Sequence, residues 1–193
     1  QGVIDLQNHI YKPLTDQRVK VMVEQIKDSH TFTKEFEVVI KGLHQDEGVG
    51  VKPKVAPAVQ QWYGKEGQSS ITSDTVLATG DSGFDQAATF YQSDLASRGL
   101  ELATGDKQAQ KLIEFKKVEN KGYGKEGYGI TIQDGVITIE AATNTGAFYA
   151  TRTLLQMGES NLQNGEIRDF PSFSHRGFML DTGRKFIPYD TLV

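Results

Sequence analysis

The sequence contains no cysteine, which excludes disulfides, thiolate nucleophiles and thiolate metal sites together. A thiol-free chain fits the cytosol and a bacterial surface equally well. Histidine is scarce. His9, His30, His44 and His175 lie too far apart to form a recognisable ligand pair, so no metal and no other cofactor is expected. Lys and Arg total 21 against 25 Asp and Glu, scattered in ones and twos. The net charge of −4 argues against a nucleic-acid partner, which would select a basic face. No apolar run approaches the roughly 18 residues that cross a bilayer, so membrane insertion is not expected. The opening residues, Gln1-Gly2-Val3-Ile4-Asp5, read as the interior of a domain and not as a signal peptide.

What is present reads as β structure first, then as a mixed layer. Val19, Val21 and Val23 alternate with Lys20, Met22 and Glu24, and Phe36, Val38 and Ile40 alternate with Glu35, Glu37 and Val39. A period of two marks strands with one buried face. The polar cluster Lys27-Asp28-Ser29-His30 supplies the turn between them. Residues 1–43 therefore read as the closing part of a β-sandwich, and the Gly- and Pro-rich residues 44–57 as a linker.

Beyond the linker, Ser70–Leu77 is strand-like. Phe84, Ala88, Tyr91 and Leu95 recur at helical spacing, with Asp81 and Ser82 as candidate caps and Gly99 as a stop. Leu112–Val118 alternates as a strand. Asp134-Gly135 is a two-residue hairpin turn, because both central positions of a type I′ turn need positive φ. Pairing outward from it sets Ile132 opposite Ile137, Ile130 opposite Ile139 and Tyr128 opposite Ala141, all on one face. A second helix over about Gly146–Met157 carries the stripe Ala147, Ala150, Leu154 and Met157, widened by Phe148 and Leu155 and ended by Gly158. A short strand follows near Glu166–Arg168. The order β-α-β-β-α-β implies an α+β fold, an antiparallel-rich sheet with both helices on one face. The pentapeptide Tyr-Gly-Lys-Glu-Gly, at Tyr63–Gly67 and at Tyr123–Gly127, reads as two similar turns and not as a repeat.

Few residues are candidates for chemistry. No phosphate-binding glycine loop follows a strand, and no serine elbow or zinc-binding helix is present. Asp46-Glu47 is the sole Asp-Glu dipeptide, but in a linker it reads as a solvated charge pair. Trp62-Tyr63 could be a sugar platform or a plug at a domain edge. Near the end, the apolar run before Asp181 leads through a turn to Arg184. That side chain could offer its planar fork of donors to vicinal sugar hydroxyls, or pair with Asp181.

Two motifs carry a family resemblance. The lead-in Asp169, Pro171, Phe173, Arg176 and Gly177, with Phe178-Met179-Leu180-Asp181 and then Gly183-Arg184-Lys185-Phe186, resembles the start of the catalytic (β/α)8 barrel of family 20 glycoside hydrolases. Upstream, Glu126–Ala141 and Gly146–Gln156 resemble the β-hairpin and helix of that family's non-catalytic N-terminal domain. Residues 1–43, through Val3-Ile4-Asp5, Pro13 and Thr33–Val38, more loosely resemble a bacterial immunoglobulin-like domain.

The resemblance implies an Ig-like fragment (1–43), a linker (44–57), an α+β accessory domain (58–168) and the truncated start of the barrel (169–193). It implies a β-N-acetylhexosaminidase parent that removes terminal N-acetylhexosamine from glycans by substrate-assisted retaining catalysis. The family's catalytic Asp-Glu pair is expected past Val193, so no catalytic residue is assigned and this chain alone is expected to be inactive. Arg184 alone matches a substrate contact, and Lys185 stands where the family often has His. Implied partners are an N-acetylhexosamine-terminated glycan and the protein's own catalytic barrel, and the implied location is secreted or on a bacterial cell surface. A glycan-binding module or a structural spacer are the competing readings.

Overall fold

The computed structural model describes residues 12–80, 83–105, 108–119, 121–181, 183 and 186–191. Its first unit is a hairpin of β1 (Gln17–Lys27) and β2 (His30–Ile40), paired antiparallel with Val19 opposite Val38 and Val21 opposite Phe36. Asp28 and Ser29 both take positive φ, 49° and 63°, so the polar cluster is the expected two-residue turn. The buried face expected from the alternation is not realised among the described residues. Phe32 is 61% exposed and Phe36 44%, because these two strands pair only with each other. At its base the hairpin is tied to the next unit: the Leu14 amide donates to Gln61 Oε1 (3.0 Å), and Arg168 donates to the Lys12 carbonyl.

The second unit is a seven-stranded sheet in the order β3 (Gln61–Ser69), β9 (Leu162–Asp169), β7 (Tyr128–Gln133), β8 (Val136–Ala141), β6 (Leu112–Lys117), β4 (Val76–Ala78), β5 (Ala103–Thr104). The β7–β8 hairpin has the register read from the sequence, Ile132 with Ile137, Ile130 with Ile139 and Tyr128 with Ala141. Asp134 and Gly135 turn with φ of 50° and 85°. All six paired side chains are buried. The sheet is less antiparallel than expected: β3–β9, β9–β7 and β7–β8 are antiparallel, whereas β8–β6, β6–β4 and β4–β5 are parallel. The crossover through α1 (Asp85–Ser97) returns the chain to the same end of the sheet and sets β5 parallel to β4, while β6 and β8 pair in parallel with strands that are not their neighbours in the chain.

The strand read at Ser70–Leu77 is confined to Val76–Ala78, and β3 was hidden from the pattern. Tyr63–Gly67 lies within β3 and not in a turn, whereas Tyr123–Gly127 is a turn. A bulge between Gly64 and Gln68 breaks the alternation. Gly67 has a φ of 88°, and a Cβ there would meet the Asn164 side chain at 2.8 Å.

Helix α2 (Asn144–Met157) begins at Thr143, whose hydroxyl accepts from the Gly146 amide (3.1 Å), and it closes at Gly158. Ala147, Ala150 and Leu154 are fully buried and Met157 is half-buried against them. Helix α1 ends as read, with the Leu100 amide bonded to the Leu95 carbonyl (2.9 Å) around Gly99 in a left-handed conformation. Its start differs from the expectation. The N-cap is Phe84, without a side-chain bond, and the candidate caps Asp81 and Ser82 lie outside the described residues. The two helices bind each other, with Asn144 Oδ1 accepting from the Ala87 amide (3.3 Å) and Arg98 donating to the Leu155 carbonyl (2.9 Å). Their packed layer covers the sheet, and Tyr91, Leu95 and Leu154 meet Phe115, Ile130 and Ile139 in one core.

Residues 44–57 are bound to the sheet more closely than a linker would be. The Val49 amide donates to the Gly64 carbonyl (2.9 Å), and the His44 ring stacks on Tyr63 at 3.6 Å. Glu166 accepts from Lys65 (2.9 Å) and lies 3.2 Å from His44 Nε2. Burial pushes the Glu166 carboxyl up, but Lys65 and His44 outweigh it and hold it below the ordinary value.

Candidate functional site

The chain leaves the sheet at the end of β9, and there a cleft of about 430 Å³ opens between α2, β7 and residues 169–176. Its floor is Tyr128, which β7 places with its ring in the core and its hydroxyl at the cleft. That hydroxyl donates to Asp169 Oδ2 (2.9 Å) and lies 2.5 Å from the Thr153 hydroxyl. A phenol has one proton to give, so Thr153 donates to Tyr128 while Tyr128 donates to Asp169. Burial raises the Tyr128 hydroxyl well above its ordinary pKa, and the Asp169 charge adds to the effect. Asp169 Oδ1 accepts from the Gln60 amide (3.0 Å), and Gln60 Nε2 reaches the Ser172 hydroxyl (2.8 Å).

The far wall is an ion pair. Arg176 sends both terminal nitrogens to Glu126, Nη2 to Oε1 at 2.6 Å and Nη1 to Oε2 at 3.2 Å. The Tyr149 hydroxyl also donates to Glu126 Oε1 (3.5 Å). Hydrogen bonding to Arg176 holds the Glu126 carboxyl below its ordinary value. A glycosidic general acid needs the opposite shift, a carboxyl kept protonated near neutral pH. Glu126 is therefore a fixed anion and Asp169 an anchored acceptor, and residues 169–173 with Arg176 form one wall of the cleft.

The candidates from the sequence lie elsewhere. Asp46 and Glu47 are exposed, and Asp46 accepts from the Tyr63 hydroxyl and from the Gly48 amide (3.1 Å). Trp62 is partly buried against the core, and one face of Tyr63 is covered by His44. Arg184 and Lys185 lie outside the described residues. Asp181 accepts locally from the Gly183 amide (2.8 Å). The run before it forms no strand, and Phe178 and Met179 are 87% and 91% exposed, since no described strand lies beside them. Among the described residues no group of three or more metal-ligating side chains comes together, and no helix is long and apolar enough to cross a membrane.

The fold and the cleft that ends it match a known unit. Residues 52–170 match the model of glycosyl hydrolase family 20, domain 2. The chain belongs to glycosyl hydrolase family 20. It is 32% identical over 86 residues to mouse beta-hexosaminidase subunit alpha, covering 42% of this chain and 16% of that protein. It is 29% identical over 140 residues to the lacto-N-biosidase of Bifidobacterium bifidum, covering 67% of this chain and 12% of that protein. Among solved structures, Streptomyces plicatus N-acetyl-beta-hexosaminidase in complex with thio-NAglucal superposes with a TM-score of 0.60 at 26% identity, covering 75% of this chain and 32% of that one. Flavobacterium johnsoniae chitobiase does so with a TM-score of 0.51 at 28% identity, covering 69% and 23%. The chain thus spans only a small part of these relatives' length. The family match ends at residue 170, within the segment that lines the cleft.

The sequence had singled out Asp169, Phe173 and Arg176 as a lead-in motif but not their partners. Glu126, Tyr149 and Thr153 lay within the hairpin and helix segments that carried the resemblance, but neither they nor Gln60 were read as site residues, because each acquires its role here from a residue far away in the chain.

Proposed function

We propose that this chain is the N-terminal accessory region of a β-N-acetylhexosaminidase that releases terminal N-acetylhexosamine from glycans by substrate-assisted retaining catalysis. The observation that carries the reading is the family 20 domain 2 match over residues 52–170, within a chain whose relatives include hexosaminidases of mammals and bacteria. The catalytic Asp-Glu pair belongs to a barrel that the residues after 169 would begin. The chain's partners are then that barrel and, through it, the glycan, at a bacterial cell surface or outside the cell. Residues 1–43 would close an upstream Ig-like β domain whose remaining strands cover the hairpin's bare apolar face. The partly covered Trp62-Tyr63 pair disfavours the competing reading as an independent glycan-binding module.

Within this reading Arg184 contacts the terminal sugar. Its planar fork can donate to two adjacent hydroxyls, which a lysine's point charge cannot reproduce. In the full-length protein Arg184→Lys should lower kcat/KM substantially despite the retained charge, with part of the loss in kcat if the contact tightens in the transition state. A surface pair with Asp181 instead predicts unchanged kinetics and at most a small drop in stability. Kinetics with p-nitrophenyl N-acetylglucosaminide and a melting curve on the same variant decide between them.

A further inference from the structure

We infer that Glu126 and Arg176 form a latch that holds residues 169–176 on the accessory domain and fixes the direction in which the chain leaves it, eight residues ahead of Arg184. The segment has two ends to secure. Its first end is anchored by Asp169, which accepts from the Gln60 amide and the Tyr128 hydroxyl, and by the Gln60 side chain on Ser172. Its second end has no apolar anchor: Phe173 is 74% exposed, and Ser174 and His175 are exposed as well. What secures it is the Arg176 guanidinium, which spans Glu126 with two hydrogen bonds and caps the Phe173 carbonyl at 2.6 Å.

The acceptor is held by contacts other than Arg176. Glu126 sits on a turn closed by the Gly127 amide on the Tyr123 carbonyl (2.9 Å), and the Thr143 hydroxyl that caps α2 binds the Lys125 carbonyl (2.5 Å). Tyr149 on α2 donates to the same carboxylate. The fork therefore docks on a carboxylate oriented by the helix and hairpin that form the rigid centre of the domain. A two-point, charge-assisted contact fixes direction as well as distance, which a single contact does not. Glu126 and Arg176 are positioning residues in this account, and neither touches substrate.

Trypsin reads the latch directly. To cut at Arg176–Gly177 the protease must take the arginine side chain into its own pocket, so cleavage requires the latch to open. In the 193-residue chain, Glu126→Gln and Arg176→Lys should each raise the rate at this bond, relative to the rate at Arg18–Val19 in the same digest, by roughly three- to tenfold. Equal relative rates in wild type and Glu126→Gln would overturn the latch. Its positioning role rests on the hexosaminidase reading and is tested in the full-length protein. There Glu126→Gln should lower kcat/KM about threefold or more at an unchanged melting temperature. A lower melting temperature with unchanged kcat/KM would reduce the pair to a structural tie and overturn the positioning role. A full-length wild type without hexosaminidase activity would sink the functional reading instead, and the digest would still decide the latch.

Discussion

Two hairpins in this chain follow the same local rules and end in opposite environments. In β1–β2, as in β7–β8, alternating apolar residues flank a two-residue turn whose central positions both take positive φ. In β7–β8 every inward side chain is buried: Ile130 is 1% exposed, and Ile132 and Ile139 are fully covered. In β1–β2 the face formed by Val19, Val23, Phe32, Phe36 and Val38 lies open, and the other face carries the ion pairs Arg18–Glu37 (2.7 Å) and Lys20–Glu35 (2.8 Å). The alternation thus states which face demands burial. It does not say whether the covering layer lies in the same stretch of sequence. For β7–β8 that layer is α2, a few residues downstream. For β1–β2 no described element supplies it.

The comparison is sharpest where burial is converted into stability. Leu154→Ala on the inner face of α2 should destabilise the domain by about 2–5 kcal/mol, as large-to-small changes in a packed core do. A melting curve matching wild type would show that α2 does not rest on the β7–β8 face. Phe32→Thr in the exposed hairpin should change stability by no more than about 0.5 kcal/mol, because threonine suits a strand and no core contact is lost. A loss of 1 kcal/mol or more in the same denaturation experiment would mean that something already covers that face and that the two hairpins are alike.

How far the sequence reveals the fold follows the same division between local and distant causes. The β7–β8 register is legible because the Asp134-Gly135 turn and the isoleucine alternation each specify it, and they agree. The α2 stripe is legible because one face of a helix repeats within a dozen residues. Strand β3 is not, since Gly64 and Gly67 interrupt its pattern to admit the Val49 carbonyl and the Asn164 side chain. Nor are the parallel pairings, because β6 lies between β4 and β8, neither of which is its neighbour in the chain, and no local signal announces that order. In the cleft, Arg176 and Asp169 stood out through a motif. Glu126, 50 positions before Arg176, belonged to a segment that carried the resemblance, but its pairing with Arg176 is visible only in the fold.

The proposed reading has this chain support a hexosaminidase without being one. The direct measurement is the release of p-nitrophenol from p-nitrophenyl N-acetylglucosaminide by the full-length protein and by the 193-residue chain side by side. The account predicts turnover by the full-length protein and none by the chain. Turnover by the purified chain that is lost on changing Asp46 or Glu47 would contradict it, as would a folded full-length protein unable to cleave any N-acetylhexosaminide.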